Sequence, residues 1–181
     1  MPVVIFFVCL DLERKSSLIN RLIYREYKMK ILDVLLKEAI LTDLKSRDKK
    51  GVLEELVTPV ARIAGINHEY LVKVLMEREQ LGSTGIGEGI GIPHGKVKDL
   101  ESLVLGFGLS RKGVDFESMD GFPTHIFFLL MTPENSTGLH LKLLARISRI
   151  LKNEPFKQKL IHAVTRDEIY TIIKEEEEEE L

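Results

Sequence analysis

Apolar residues recur along this chain with two different periods, and the changes of period mark its elements. Residues 30–39 and 50–64 read as helices. In the second, Val52, Leu53, Leu56, Val57, Val60 and Ile63 return at helical spacing. Pro59 inside that pattern predicts a kink or a break, because proline has no N–H to give the preceding turn. Asn67 is a good N-cap, with Glu69 in the first turn behind it. The helix it opens carries Leu71, Val74 and Leu75 on one face, runs to about Gln80 and stops at Gly82.

The period then shortens. From Gly85 to Ile92 glycine or glutamate alternates with isoleucine, which is period two. Ser102 to Ser110 is a strand candidate. RKGVDFESMDGFP, residues 111–123, is a polar connection with Asp120-Gly121 as its turn signal. Thr124 to Met131 is almost continuously apolar, as suits a strand buried on both faces. Helical spacing returns over Leu139–Lys152 and Glu154–Ala163, and Thr165-x-x-Glu168 is a capping box that opens a last helix. Helices, then strands, then helices again describe an α/β sandwich around a mixed sheet.

Composition narrows the function classes. The chain has 181 residues, enough for one domain with a real core and no metal or disulfide to staple it. Lys plus Arg is 26 against Asp plus Glu at 28, a net charge of −2, so nothing argues for nucleic-acid binding. The single cysteine, Cys9, cannot form an internal disulfide and points to a reducing cytoplasm. MPVVIFFVCL is too short to span a membrane, and its charges follow the apolar run rather than precede it, so direct membrane insertion and a secretory signal are both disfavoured. Residues 1–28 are therefore read as an N-terminal extension, 29–174 as the domain, and 175–181 as an acidic tail. The block EEEEEE at 175–180 is expected to be frayed and solvated.

Candidate chemistry concentrates in GSTGIGEGIGIPHGK, residues 82–96, which holds six glycines, one histidine and one acidic residue, Glu88. A dinucleotide loop needs G-x-G-x-x-G, and the third glycine is missing in every register: Ile90, Ile92 and His94 stand there. A nucleotide-hydrolase phosphate loop fails by one residue, and Val97 replaces the magnesium-binding hydroxyl. The remaining readings are that His94 is an ordinary strand-end residue, or that it is the reacting group. Neutral imidazole is a nucleophile at physiological pH, and a phosphoryl group on a ring nitrogen is labile and transferable. Glycines let backbone N–H groups approach phosphoryl oxygens. Ser83 and Thr84 offer hydroxyls, Arg78 and Lys96 offer positive charge, and Pro93 restrains the chain just before the ring. His140 shares a helix face with Leu143, Leu144 and Ile147, in a first turn that favours anions; it is either part of such a site or a buried histidine satisfied by a carbonyl. His68 and His162 look like surface helix residues, and His125 sits mid-strand. With no H-E-x-x-H spacing and one cysteine, no metal is expected.

GSTGIGEGIGIPHGK resembles the active-site signature of the fructose/mannitol-type EIIA domains of the bacterial phosphoenolpyruvate-dependent sugar phosphotransferase system, whose usual form is GSTGIGxGIAIPH, then a small residue and Lys. The family includes the nitrogen-regulatory, PtsN-like EIIA. MEREQL, and DGFPTHIFFLLMTPENSTGLHLKLLARISRIL downstream, extend the likeness from about Met29 to Lys174. The resemblance implies a mixed parallel/antiparallel sheet of about five strands flanked by helices on both faces. It implies that His94 takes a phosphoryl group from phospho-HPr or the nitrogen-branch HPr analogue, that His140 is the second active-site histidine and orients near that group, and that Arg78 contacts it. Ser83, Thr84 and Lys96 fall in the signature as substrate-binding positions. No cofactor is implied. The implied acceptor is an EIIB partner, or the phosphoryl group serves as a mark that controls a transporter or a sensor kinase. Sugar uptake, regulation, and a binding module that has lost transfer remain open at this point. Gly91 replaces the commoner alanine and is expected to loosen the backbone, while Gly95 leans toward the nitrogen-regulatory branch.

Overall fold

The computed structural model describes residues 29–179, so what was expected of residues 1–28 and of Glu180 and Leu181 lies outside the described residues. After a single 3-10 turn at Ile31–Asp33, the elements are β1 (Leu35–Leu41), α1 (Lys49–Ala64), α2 (His68–Glu79), β2 (Gly85–Gly87), β3 (Ile90–Gly91), β4 (His94–Val97), β5 (Val104–Val114), β6 (Thr124–Pro133), α3 (Thr137–Ile150), α4 (Glu154–His162) and α5 (Arg166–Glu179).

Among the described residues these strands form one sheet in the order β1-β5-β6-β3-β2, with β4 also on β6. The sheet is mixed: β1 and β5 are parallel, β5 and β6 antiparallel, and β3 and β4 both run parallel to β6. β3 and β4 are one strand interrupted. Ile90 and Gly91 pair with Ile126 and Phe127, and His94 to Val97 pair with Leu130 to Pro133. Between them stands Pro93, which cannot donate to the ladder but whose carbonyl accepts from Leu130 N at 2.9 Å. The strand thus restarts at His94.

β6 is buried on both faces, and its alternation sorts the core. Phe127, Leu129 and Met131 point to the layer built by Val52, Leu53, Leu56, Val57 and Val60 of α1 and Leu71 and Leu75 of α2. Ile126, Phe128 and Leu130 point to the opposite layer, where α3, α4 and α5 carry buried Leu143, Ile147, Phe156, Leu160, Ile169 and Ile173. Phe107 meets Phe128 edge to face on that side, and Phe116 meets Phe127 on the first, each pair with centroids 5.1 Å apart.

Most boundaries follow from local chemistry. The Asp48 carboxylate caps α1 through Gly51 N, and Gly65 closes it at φ 66°. Asn67 caps α2 through Tyr70 N at 2.8 Å, and the Thr165–Glu168 capping box opens α5 through reciprocal bonds. Three expectations need correction. The helix at residues 30–39 is instead the 3-10 turn and strand β1. Its register on β5 shifts between Leu35 and Ile40, so its burial never alternates, and good helix formers hid an edge strand whose conformation is set by pairing. Helix α1 runs through Pro59 to Ala64 without breaking, and Pro59 is buried on its core side. The glutamate block is not solvated throughout: Glu175–Glu179 continue α5, and Glu176 and Glu177 are buried. Glu177 accepts from Ile31 N at 2.5 Å and Leu32 N at 3.2 Å and lies 2.9 Å from Arg146 Nε, while Glu176 accepts from Asn153 Nδ2. Backbone donors and a cation offset the desolvation of Glu177, and a side-chain amide donates to Glu176.

Candidate active site

The site lies where three elements end or begin. Helix α2 delivers Arg78 in its last turn, β4 begins at His94, and α3 brings His140 in its first turn. The two histidine rings meet edge to face, 5.3 Å between centroids at 63°.

The state of the His94 ring follows from its neighbours. Arg78 Nε–H lies 3.1 Å from His94 Nε2, and a guanidinium can only donate, so Nε2 is the acceptor. The ring proton is then on Nδ1, which donates to the Ile92 carbonyl at 2.7 Å. That leaves the Nε2 lone pair facing the cation. Burial holds the His94 pKa below its ordinary value; the Ile92 carbonyl works against that, and the Arg78 charge works with it. Arg78 is itself fixed by Nη1 on the Gly82 carbonyl at 3.0 Å. His140 is buried at 7% exposure, and its pKa is pushed down to about 4 by burial, then by His94, Lys96 and Arg78. Both rings are therefore neutral near pH 7.

His140 Nδ1 lies 3.0 Å from the hydroxyl of Thr132 on β6, so the partner of this buried histidine is a side chain rather than the carbonyl that was the alternative. Lys96 is exposed and donates to Thr137 Oγ1 at the start of α3 at 2.9 Å. The hydroxyls of Ser83 and Thr84 are taken up inside the loop. Ser83 donates to the Phe116 carbonyl and accepts from Gly85 N. Thr84 gives both its hydroxyl and its N–H to the carboxylate of Glu79.

Glu79 escaped the sequence reading. It is 7% exposed, and Lys49 of α1 neutralises it at 3.1 Å while also binding Glu117 at 2.7 Å. Nothing in EREQ tells which glutamate turns inward. The 115–121 segment was also missed as a support. Met119 N donates to the Gly85 carbonyl, Ser118 Oγ accepts from Gly87 N, and Asp120 accepts from Glu88 N at 2.7 Å. These bonds strap a hairpin whose turn puts Gly87, Glu88 and Gly89 at positive φ. Of its three isoleucines, Ile90 and Ile92 are core and Ile86 is exposed.

The other histidines are each satisfied by a backbone carbonyl: His68 by Glu54, His125 by Ser110 and His162 by Gln158. Gly91 is packed closely against β6. A methyl group there would meet the Phe127 ring at 2.9 Å, so Phe127 fills the space a larger residue would take. Gly95 likewise lets α2 close on β4, since a Cβ would lie 2.7 Å from Val74.

Known proteins carry the same architecture. A "Nitrogen regulatory protein" of Bradyrhizobium diazoefficiens is 41% identical over 80% of this chain and 95% of its own length. The "PTS system fructose-specific EIIABC component" of Bacillus subtilis is 38% identical over 80% of this chain, which spans only 23% of that larger protein. The crystal structure of the nitrogen regulatory protein IIA-Ntr from Neisseria meningitidis superposes with a TM-score of 0.74 at 30% identity, over 78% of this chain and 97% of its own. Residues 33–176 match the family described as "Phosphoenolpyruvate-dependent sugar phosphotransferase system, EIIA 2", and the chain belongs to that family.

Proposed function

We propose that His94 Nε2 is the phosphoryl acceptor of this EIIA domain, and that the protein works in the cytoplasm as a carrier between a phosphohistidine donor and a second protein. The observation that carries this is the pair of bonds on the His94 ring. With the proton held on Nδ1 by Ile92, Nε2 carries an unprotonated electron pair, met by Arg78 Nε–H, and needs no base. In the transfer, that pair forms a bond to phosphorus as the donor's phosphorus–nitrogen bond breaks. The leaving pair returns to the donor histidine, whose other ring nitrogen keeps its proton; the positive charge passes from the donor ring to the His94 ring, and no proton is consumed. Arg78 Nε–H moves from Nε2 to a phosphoryl oxygen, a short shift for a guanidinium already anchored on Gly82. His140 lies beside His94 as a hydrogen-bond partner for the same group, and Lys96 contributes charge from the rim. Ser83 and Thr84 act by shaping the loop, since their hydroxyls are spent within it.

A protein donor needs a docking surface. Leu81 is 85% exposed beside the Arg78 anchor, Leu141 60% exposed beside His140, and Met119 80% exposed on the strap over Gly85. These apolar side chains, with Ile86, suit a partner that docks, transfers and leaves. Among the described residues no helix is long and apolar enough to cross a membrane.

The donor is phospho-HPr or its nitrogen-branch analogue. The acceptor is an EIIB domain, or the phosphoryl group stays as a mark that changes affinity for a transporter or sensor kinase. The near full-length likeness to nitrogen regulatory proteins favours the second route. The test is intact-protein mass after incubation with phosphoenolpyruvate, enzyme I and either HPr-type donor, with His94→Ala alongside. One acid-labile phosphoryl group on the parent and none on an equally stable variant is the expected result. No gain with either donor pair, or an equal gain on the variant, would overturn it.

A further inference from the structure

Thr132 is completely buried on β6, in register with Lys96 of β4, and its hydroxyl sits between two groups. One is the Gly95 carbonyl at 3.4 Å, immediately after the proposed acceptor; the other is His140 Nδ1 at 3.0 Å. A hydroxyl has one proton and can both give and accept. With its proton on the Gly95 carbonyl, it accepts from His140 Nδ1–H, and His140 Nε2 carries a lone pair. With the proton turned onto Nδ1, His140 carries its own proton on Nε2. The two nitrogens diverge across the ring, so with Nδ1 held against the sheet, Nε2 points away from it.

This matters for the phosphorylated state. A lone pair on His140 Nε2 would repel a phosphoryl oxygen, whereas an N–H there would bind it. His140 could supply that N–H in two ways, by becoming an imidazolium or by changing tautomer. In the resting site the surroundings oppose the first: the ring is buried, with the His94 ring, Lys96 and Arg78 as its charged or titratable neighbours, two of them permanent cations at pH 7, and the phosphoryl group's negative charge is set against those two cations. The second leaves every heavy atom in place and exchanges the ring proton through solvent.

Resting on the transfer reading above, we propose that Thr132 is a positioning residue whose rotating hydroxyl lets neutral His140 present an Nε2–H donor to the phosphoryl group on His94. Thr132→Val keeps the shape and removes the relay. The bare Nδ1 of the donor tautomer is then buried without a partner, and the phosphorylated form is disfavoured.

The experiment uses the full chain, labelled with 15N-histidine, as parent, Thr132→Val and Thr132→Ser. Long-range 1H–15N spectra before and after phosphorylation read the His140 tautomer, and the decay of the phosphoryl group reads its lifetime. In the phosphorylated parent the His140 proton is expected on Nε2 of a neutral ring. The lifetime should shorten about 5- to 10-fold in Thr132→Val, the loss of roughly one buried hydrogen bond, and recover in Thr132→Ser. The His94 signals of each unphosphorylated variant show that the fold is kept. An imidazolium or an Nδ1–H tautomer in the phosphorylated parent, or an unchanged lifetime in the valine variant, overturns the proposal. A parent that takes no phosphoryl group overturns the transfer reading itself, and this proposal with it.

Discussion

Strands β5 and β6 and the arm from Gly82 to Val97 share one sheet, yet different forces hold them. In β6 every residue from Ile126 to Met131 is buried and apolar, with helices over both faces. Its stability is that of removed apolar surface, which is large and indifferent to direction. The arm has short strands, five of its glycines inside or beside them, and three consecutive residues at positive φ. Its core side chains are few, Ile90, Ile92 and Val97 among them, and its N–H groups tie it down by donating to Glu79, Ser118 and Asp120. β6 is a rail and the arm is clipped to it. Chemistry belongs on the arm, because a site must leave room for backbone and partner to approach the ring. Precision comes from the rail beside it.

That contrast can be broken from either side. Phe127→Ala removes a ring that fills space on the rail and covers Gly91 on the arm. It should cost about 3–5 kcal/mol of unfolding free energy in urea titration and lower phosphoryl acceptance only as far as it unfolds the protein. Arg78→Gln strips the cation from the arm instead. Stability should fall by about 1–2 kcal/mol as the bonds to His94 and Gly82 are lost, while the transfer rate falls by about 10² to 10³. NMR titration should show the His94 pKa rising toward its ordinary value, since Arg78 helps to depress it. If Phe127→Ala abolished transfer in a fully folded protein, the division of labour would be wrong.

Gly95→Ala tests the joint between the two. Its methyl group would lie 2.7 Å from Val74, so α2 must back away, and Arg78 with it. A loss of about 1–3 kcal/mol is expected, with a fall in transfer rate smaller than that of Arg78→Gln. The last test is in pH. His140 titrates at about 4 when folded and near 6.5 when unfolded. Between those values the unfolded chain holds a proton that the folded one lacks, so stability falls as pH drops from about 6.5 to about 4 and levels off below. His140→Gln should remove up to one proton from that slope, measured as unfolding free energy against pH.

Much of this was legible because the local signals agreed with the fold. Asn67, the Thr165–Glu168 box and the apolar run of β6 act through neighbours in sequence, or through burial on both faces, and the chain displays both. The glycine run exposed its histidine for the same reason: spacing excluded the nucleotide loops before any geometry was known. What failed was whatever depends on distant partners. Strand β1 takes its conformation from β5 across a shifted register, and helix formers disguised it. Glu177 looks like any other member of a glutamate block until Ile31 N, Leu32 N and Arg146 are brought to it. Glu79 and Thr132 carry no motif: the first gains its partners only when Thr84 and Lys49 of α1 are brought to it, the second only when β4 and α3 bring Gly95 and His140. Ser83 and Thr84 offer hydroxyls in the sequence, and only the closed loop shows those hydroxyls bonded to the Phe116 carbonyl and to Glu79.

The central claim is that His94 accepts on Nε2 because Ile92 keeps its Nδ1 proton. The direct measurement is a 1H–15N correlation spectrum of the phosphorylated, histidine-labelled protein with coupling to phosphorus. The account predicts one phosphoryl group, on His94 Nε2, with the proton retained on Nδ1 and donated to the Ile92 carbonyl. Phosphorus on His94 Nδ1, or on His140, would contradict it.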